Sequence, residues 1–183
     1  MNVYDFDKTI YDGDSSVDFL IYVYKKHPSL LRFIFLQLWA AMKYKLKITD
    51  KTTMKTTIYT YFTGLKDIDA QVDAFWKEHE HKVKDWYKKQ RKDDDVIISA
   101  SPEFLLKPVC DRLNVQLIAS IVDKHSGKNL RKNCYGDQKP IRFEELYSLS
   151  DIDEFYSDSY SDDPMAQLAK KSFFVTGDII TNW

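Results

Sequence analysis

The sequence predicts an α/β fold in which a long helical segment is inserted between the first strand of a parallel sheet and the remaining strands. After residue 95, short runs of β-branched and aromatic residues alternate with helical stretches, which is typical of a parallel sheet. Residues 15–89 instead show helical periodicity and contain almost no glycine. Five glycines and five prolines in the whole chain argue against a turn-rich all-β protein.

Length and charge narrow the class of protein further. The 183 residues suit one domain, or one domain with an insert. The chain has 27 basic and 28 acidic residues, so it has no overall positive field to attract nucleic acid. Cys110 and Cys134 form no CxxC pair, so we expect reduced thiols. The acidic first fourteen residues do not resemble a secretory signal, and we expect a cytoplasmic protein.

The strands and helices of the sheet core are predicted from short apolar runs and from the prolines near helix starts. Residues 2–7 form a short β-type run that ends in acids, the usual position of chemistry in open α/β sheets. We expect strands at residues 2–7, 96–99, 115–122, 152–156 and 172–176. Helices are expected at residues 101–113, 140–147 and 164–171, and each begins at or next to a proline, which suits the first helical turn.

The inserted segment is expected to hold four stacked helices. In the first, Val17, Leu20, Ile21 and Tyr24 share one face before Pro28 interrupts. The second covers residues 30–42, with Ser29 as its expected N-cap residue, and Asp50 can begin the third. Residues 68–87 have the clearest apolar period and are expected to form the fourth.

The second of these helices allows two interpretations. Residues 30–42 contain eleven apolar side chains out of thirteen, which is too short a run to span a bilayer. We expect Phe33, Phe35, Leu36 and Trp39 to lie in a buried core, because runs of this length are usually core. The alternative is an interfacial helix on an anionic membrane, favoured by the lysines at 43, 45 and 47.

The motif Asp5-Phe6-Asp7-Lys8-Thr9 carries the first chemistry. A carboxylate can attack phosphorus as a nucleophile, and a second carboxylate two positions later can protonate the leaving oxygen and then activate water. Because the nucleophile and the phosphate are both anionic, such chemistry needs a cation, and Mg²⁺ is the expected one.

The ends of later elements offer phosphate ligands. Ser99 follows an apolar strand, so its hydroxyl could hold phosphate oxygens. Ser101 is the rival, but with Pro102 behind it we expect Ser101 to be a helix N-cap residue. Lys139 precedes a helix and could neutralise both the phosphate and the nucleophile.

A second acidic cluster follows the strand expected at residues 152–156. Asp158 and Asp162 lie on the loop after it and supply oxygen ligands for a hard cation. Asp163 precedes Pro164 and is expected to be an N-cap residue instead.

With these elements in this order, the sequence resembles the phosphatases of the haloacid dehalogenase superfamily, in the phosphoserine-phosphatase-like branch. The resemblance rests on the Asp5 to Thr9 motif, Ser99, Lys139, and Asp158 with Asp162, and it covers the whole chain. It implies a Rossmann-like parallel sheet core at 1–13 and 89–183 and an inserted α-helical cap at 14–88.

The resemblance also implies roles for these residues. Asp5 is the phosphorylated nucleophile and a metal ligand, and Asp7 is the general acid/base and offers its backbone carbonyl to the metal. Ser99 and Lys139 bind phosphate, Asp158 is a metal ligand, and Asp162 binds the metal directly or through a water. The implied activity is that of a Mg²⁺-dependent phosphomonoesterase acting through an aspartyl-phosphate on a small phosphorylated metabolite.

Two other functions stay open at this point. The apolar cap helix also looks like that of bacterial phosphatidylglycerophosphatase in the same superfamily, which would make the substrate a lipid phosphate and the membrane surface a partner. A third reading is a binding protein that retains the fold without activity, since a fold alone does not prove catalysis.

Overall fold

A computed structural model describes all 183 residues and shows a six-stranded sheet in the order β3-β2-β1-β4-β5-β6. All neighbouring strands are parallel except β5 and β6. The strands are β1 Asn2–Tyr4, β2 Val96–Pro102, β3 Gln116–Ser120, β4 Glu154–Ser157, β5 Lys171–Thr176 and β6 Ile179–Asn182. The predicted α/β class with a parallel sheet and a helical insert is confirmed.

The two faces of the sheet are both buried, as the apolar strands predict. Val3 and Phe155 belong to a cluster on one face, against helices from the C-terminal half of the chain. Tyr4, Ile97 and Tyr156 belong to a larger cluster on the other face, against the inserted helices. This alternation is the period of two expected for strands covered on both sides.

Eight α-helices surround the sheet. The insert contributes α1 Ser15–Lys26, α2 Ile34–Lys45, α3 Lys51–Ile58, α4 Ile68–His79 and α5 Asp85–Gln90. The later part of the chain contributes α6 Glu103–Arg112, α7 Gln138–Glu144 and α8 Asp163–Ala166. None of these helices combines the length and the apolar character needed to cross a bilayer.

The insert departs from the predicted four helices. The expected helix at 68–87 is divided, because α4 ends at His79 and a short 3₁₀ turn leads to Val83, which forms an isolated β-bridge with Tyr11. A 3₁₀ helix at Pro28–Phe33 precedes α2, and its N-cap residue is His27, not Ser29. On α1, Leu20, Ile21 and Tyr24 share one face as predicted, but the buried apolar residues are Phe19, Tyr22 and Val23 on another face.

The insert and the sheet share one buried cluster. The Trp76 indole N–H on α4 donates a hydrogen bond of 2.5 Å to the backbone carbonyl of Leu105 on α6. On α5, the Tyr87 ring lies edge-on to the Tyr4 ring of β1, with centroids 4.9 Å apart. Helices α4 and α5 of the insert therefore pack against the sheet and α6. The division of the chain into a core and a cap at residues 14 and 88 stays a prediction.

The expected burial of the apolar helix is wrong for most of its side chains. Phe35 is 80% exposed, Trp39 is 52% exposed, and Leu36 is also exposed, while Phe33 is half-buried. The α2 residues that are buried are Gln37 and Ala40. The helix therefore packs through a narrow face and presents most of its apolar side chains outward.

Smaller differences concern the end of the chain. The predicted helix at 164–171 is a single turn, α8, because the chain returns to the sheet at Lys171. The sequence analysis missed β6, the antiparallel edge strand that follows the turn at Gly177. Both cysteines are buried and unpaired, consistent with the expected reduced thiols.

Candidate active site

The candidate site lies at the carboxyl ends of three adjacent parallel strands. The central strand β1 pairs with β2 and β4, and Tyr4 is in register with Ile97 and Tyr156. Because parallel strands end at the same edge, the segments that follow Tyr4, Ile97 and Tyr156 meet in one place. There they enclose a small pocket of about 180 Å³.

The turn after β1 aims two aspartates into this pocket. Phe6 is fully buried on the core side, while Asp5 and Asp7 on either side of it line the pocket. The chain then reverses through Lys8, whose φ is 61°, and the Lys8 N–H donates to the carbonyl of Gly13 at 2.8 Å. The D-x-D spacing works here because the intervening side chain anchors the turn in the core.

Lys139 joins Asp5 to Asp162. Its ammonium donates to Asp5 Oδ1 and to Asp162 Oδ2, each at 2.6 Å, and all three side chains are buried. Burial raises the pKa of Asp5 to about 7, and the Lys139 ammonium opposes that rise. Burial would lower the pKa of Lys139, but the two carboxylates outweigh it and raise the pKa. The lysine therefore stays charged and holds Asp5 in place.

Asp7 is held by donors on its other side. Asp7 Oδ1 accepts a hydrogen bond of 2.6 Å from the Ser15 N–H, and Asp7 Oδ2 accepts one of 2.5 Å from the Ser101 hydroxyl. Burial and the nearby Asp14 carboxylate raise the pKa of Asp7, while these hydrogen bonds lower it. A raised pKa favours the protonated form of the carboxyl, which is the form that a general acid needs.

Thr9 connects the two acidic segments of the site. Its fully buried hydroxyl accepts a hydrogen bond of 3.0 Å from the Asp158 N–H and lies 3.5 Å from Asp5 Oδ2. The threonine of the D-x-D-x-T motif thus sets the position of the loop after β4 relative to Asp5.

Asp158 and Asp162 both line the pocket on that loop. Burial raises the pKa of Asp158, and Lys8 opposes the rise. Asp162 accepts a hydrogen bond of 2.7 Å from the Ser157 hydroxyl, and its Oδ1 is buried with no partner. Asp163 points elsewhere and accepts from the Trp183 indole and the Gln167 amide at 2.9 and 2.6 Å. It is the first residue of α8, so its predicted role as an N-cap residue is wrong.

These oxygens are the donors that a hard cation prefers. No group of three His, Cys, Asp or Glu side chains is arranged to hold a metal by itself. Mg²⁺ needs fewer, because it is usually held by one or two carboxylates and keeps several waters. The unpartnered Asp162 Oδ1 and the pocket-lining Asp5 and Asp158 fit such an ion.

The two serines in the last half of β2 differ from their predicted roles. Ser101 belongs to β2, and α6 begins at Glu103 with no side chain bonded at its N-terminus, so the predicted N-cap role of Ser101 is wrong. The Ser101 hydroxyl lines the pocket and contacts Asp7. Ser99 is buried behind it, where its Oγ accepts a hydrogen bond of 3.1 Å from the Ser101 N–H. Phosphate binding by Ser99 stays a prediction.

The insert supplies two lysines that the sequence analysis missed. Lys51 and Lys55, one turn apart on α3, line the pocket together with Tyr135. The Lys55 ammonium donates to the Ala100 carbonyl at 2.6 Å, and the Lys51 ammonium lies 3.1 Å from the centre of the Tyr135 ring. Burial lowers the pKa of Lys51 to about 8, and Lys55 adds to this effect. From the sequence alone, two lysines on a helix would be expected to be solvated. The fold instead places them at the pocket that the aspartates line.

Comparison with solved structures shows the same architecture at low sequence identity. A protein of unknown function from Bordetella pertussis Tohama I superposes with a TM-score of 0.76 at 17% identity, over 94% of this chain and 87% of that one. A phosphoserine phosphohydrolase-like protein from Francisella tularensis subsp. tularensis SCHU S4 gives 0.61 at 17% identity, over 98% and 89%. A cytosolic 5'-nucleotidase IIIB bound to cytidine gives 0.58 at 16% identity, over 91% and 68%.

No curated protein matches the sequence. The haloacid dehalogenase-like hydrolase family matches residues 3–167, which include the whole insert and every pocket residue described above. The resemblance drawn from the motifs is confirmed by this match. The chain belongs to the haloacid dehalogenase-like hydrolase family.

Proposed function

We propose that this hydrolase is a Mg²⁺-dependent phosphomonoesterase that acts through an aspartyl-phosphate on a small phosphorylated metabolite. The observation that carries the proposal is the pairing of Asp5 and Asp7 in one pocket with different partners. Asp5 is bound to a charged lysine, whereas Asp7 is bound to a hydroxyl and a backbone N–H. The two carboxyls therefore suit the separate tasks of nucleophile and acid/base.

In the first step an Asp5 oxygen attacks phosphorus, and the bond from phosphorus to the ester oxygen breaks. Asp7 gives its proton to that oxygen, so the alcohol leaves uncharged. In the second step Asp7 takes a proton from water as the water attacks phosphorus. The bond from phosphorus to Asp5 then breaks, which releases inorganic phosphate and restores both carboxyls.

Asp5, Asp158 and the backbone carbonyl of Asp7 would hold the Mg²⁺ ion, with Asp162 bound to it directly or through a water. When bound, the ion offsets the negative charge that gathers as a carboxylate approaches a phosphate. Lys139 adds a second positive charge next to Asp5. The charge of the pocket thus supports a dianionic phosphate as the reacting group.

The size and lining of the pocket support a small polar substrate. Its lining includes only two apolar residues, Ala100 and Tyr135, and the remaining surface is charged or hydroxylic. Lys51 and Lys55 lie opposite the catalytic acids on the inserted helix α3, where they can attract an anionic group. A phosphorylated metabolite that carries further negative charge suits this lining best.

A phosphate-release assay over a panel of phosphorylated metabolites, with p-nitrophenyl phosphate as a general substrate, tests the proposal. We expect turnover that EDTA abolishes and Mg²⁺ restores. Asp5→Asn should lower the turnover rate by several orders of magnitude and leave the fold intact, since an amide cannot act as the nucleophile. Asp163→Asn is the matched control, because this neighbouring carboxyl points away from the pocket. Absence of turnover on every substrate would favour the inactive binding protein instead.

A lipid phosphate is the second candidate substrate. It is favoured by the exposed apolar side chains of α2, which would keep the enzyme near a bilayer. Comparing a phosphorylated lysophospholipid with its water-soluble headgroup in the same assay separates the two candidates. A strong preference for the lipid form would replace the metabolite proposal.

A further inference from the structure

One surface of the insert is unusually apolar for an exposed protein surface. Ten of the eighteen exposed large hydrophobic side chains of the chain fall between residues 31 and 48. We define the outer cap face as these ten residues: Leu31, Ile34, Phe35, Leu36, Leu38, Trp39, Met42, Tyr44, Leu46 and Ile48. A large concentration of exposed apolar side chains is typical of an interaction site.

Helix α2, at the centre of this face, buries a polar side chain and exposes apolar ones, which is the reverse of a typical surface helix. Gln37 is only 7% exposed, whereas Leu38 beside it is 62% exposed. The buried Gln37 amide is fully engaged, accepting from the Tyr24 hydroxyl at 2.8 Å and donating to the Ile58 carbonyl at 2.9 Å. Hydrogen bonding thus fixes Gln37 inward and leaves most of the apolar side chains of α2 outward.

A groove extends the outer cap face toward α1. It has a volume of about 510 Å³, and eight of its ten lining residues are apolar, among them Leu20, Leu31 and Leu38. The outer cap face therefore has an apolar groove beside it. Both parts would remain in contact with water unless something covers them.

The segment of chain that carries this face has only positively charged side chains. Residues 19–49 contain no Asp or Glu but carry six basic residues, in a chain that is otherwise slightly acidic. Of these six, only Lys26 forms an ion pair, with Glu78. Lys43 lies over the Trp39 ring, with its ammonium 5.3 Å from the ring centre, so a cation and an aromatic ring occupy the same part of the surface.

We propose that the outer cap face docks on an anionic phospholipid bilayer, with α2 lying in the plane of the interface. Apolar side chains would enter the acyl boundary, and the lysines would meet the headgroup phosphates. At 12 residues, α2 is about 18 Å long, which suits a helix lying on a bilayer rather than crossing it. A second copy of the chain fits less well, because a symmetric contact would bring two sets of positive charges together.

The docked orientation would also place the catalytic pocket close to the membrane. Helix α3 packs beside α2, with Ile58 lining the groove and Lys51 and Lys55 lining the pocket. Packed helices lie about 8–10 Å apart, so roughly one helix layer would separate the bilayer surface from the pocket. Docking itself does not depend on the proposed catalytic activity.

Vesicle co-sedimentation with the full chain tests the proposal. We expect binding to vesicles of phosphatidylcholine mixed with phosphatidylglycerol, weaker binding to phosphatidylcholine alone, and loss of binding as salt increases. Lys43→Glu/Lys45→Glu should weaken binding by at least about 25-fold, since each lysine near an anionic surface contributes about fivefold. Lys77→Glu/Lys89→Glu is the matched control, because these lysines also lie in the last turns of helices but outside the outer cap face.

A second pair of variants tests the contribution of the apolar side chains of the outer cap face. Phe35→Ser/Leu38→Ser should lose binding and keep its thermal stability, because both side chains are exposed. Leu146→Ser/Ile179→Ser changes equally exposed residues on the core and should bind like the wild type. Absence of binding to anionic vesicles would overturn the proposal, and so would binding that both test variants retain. A wild-type dimer that Phe35→Ser/Leu38→Ser dissociates would assign the face to a second copy instead.

Discussion

Lys139→Met tests whether one buried lysine holds the pocket carboxylates of Asp5 and Asp162 together. The change keeps the length of the side chain but removes the ammonium that donates to Asp5 and Asp162 at 2.6 Å each. Two buried carboxylates would then face each other without a cation. Removing one partner of a buried ion pair costs about 3–5 kcal/mol. In a protein of this size, that corresponds to a decrease in Tm of roughly 6–20 °C.

The pH dependence of this loss is the sharper measurement. The folded-state pKa of Asp5 is already raised to about 7 by burial, so the native state binds more protons than the unfolded state between about pH 4 and 7. This group therefore lowers stability as pH rises through that window. Without Lys139 the pKa of Asp5 rises further, so the stability deficit of the variant should grow from pH 5 to pH 8 and shrink again on acidification.

Chemical denaturation of both proteins at several pH values, without added metal, measures the deficit. Lys139→Met/Asp162→Asn serves as the second arm, because it removes one of the two carboxylates and should recover part of the lost stability. A variant as stable as the wild type at pH 8 would refute the reasoning. A deficit that does not change with pH, and that the double variant does not relieve, would show that lost packing rather than charge is responsible.

Two further predictions concern the contacts between insert and core. Because burial lowers the pKa of Lys51 to about 8, its ammonium should lose its charge above that pH, and KM for an anionic substrate should rise there. Lys51→Arg should flatten this rise in a KM profile, since guanidinium remains charged, and an unchanged profile would rule out Lys51 as the group responsible. Gly127 has a φ of +74°, and a Cβ on it would lie 2.3 Å from the Tyr59 carbonyl oxygen. Gly127→Ala should therefore lower Tm more than Gly177→Ala, which has a similar positive φ but open space around it, and equal losses would disprove the clash.

The position of the candidate site at one edge of the sheet was predictable because the sequence indicates where the strands end. Short apolar runs followed by Asp5, Ser99 and Asp158 could be assigned to neighbouring parallel strands, which must end at one edge. The structure brings Asp5, Asp7, Lys139, Asp158 and Asp162 to one pocket as expected. It places Ser101, rather than Ser99, on the pocket wall. An apolar strand pattern does not predict which of two serines near the strand end faces the pocket.

The orientation of α2 could not be predicted from its pattern. A helix that is apolar on nearly every side gives no contrast between a buried face and an exposed one. Its buried face is decided by Gln37, whose partners Tyr24 and Ile58 are distant in sequence. The pocket lysines Lys51 and Lys55 were missed for a related reason. A lysine on a helix is normally solvated, and only the packing of α3 over the core brings these two to the acids.

The pH dependence of turnover should show which of the two serines in β2 sets the pKa of Asp7. The Ser101 hydroxyl donates to Asp7 Oδ2 and lowers its pKa against the effect of burial, whereas the Ser99 hydroxyl faces the Ser101 N–H. Ser101→Ala should therefore raise the pKa of Asp7, because the hydroxyl donates a hydrogen bond that stabilises the charged form. The limb of the kcat/KM pH profile that belongs to Asp7 should move to higher pH.

Ser101→Thr and Ser99→Ala complete the comparison. Ser101→Thr retains a hydroxyl and should leave the limb near its wild-type position, which separates the hydrogen bond from simple loss of packing. Ser99→Ala should raise KM if that hydroxyl binds phosphate, but it should not move the limb, because Ser99 has no contact with Asp7. If the limb moves in Ser99→Ala and stays fixed in Ser101→Ala, then Ser99 is the residue that tunes the acid, and the bond between Ser101 and Asp7 has no part in proton transfer.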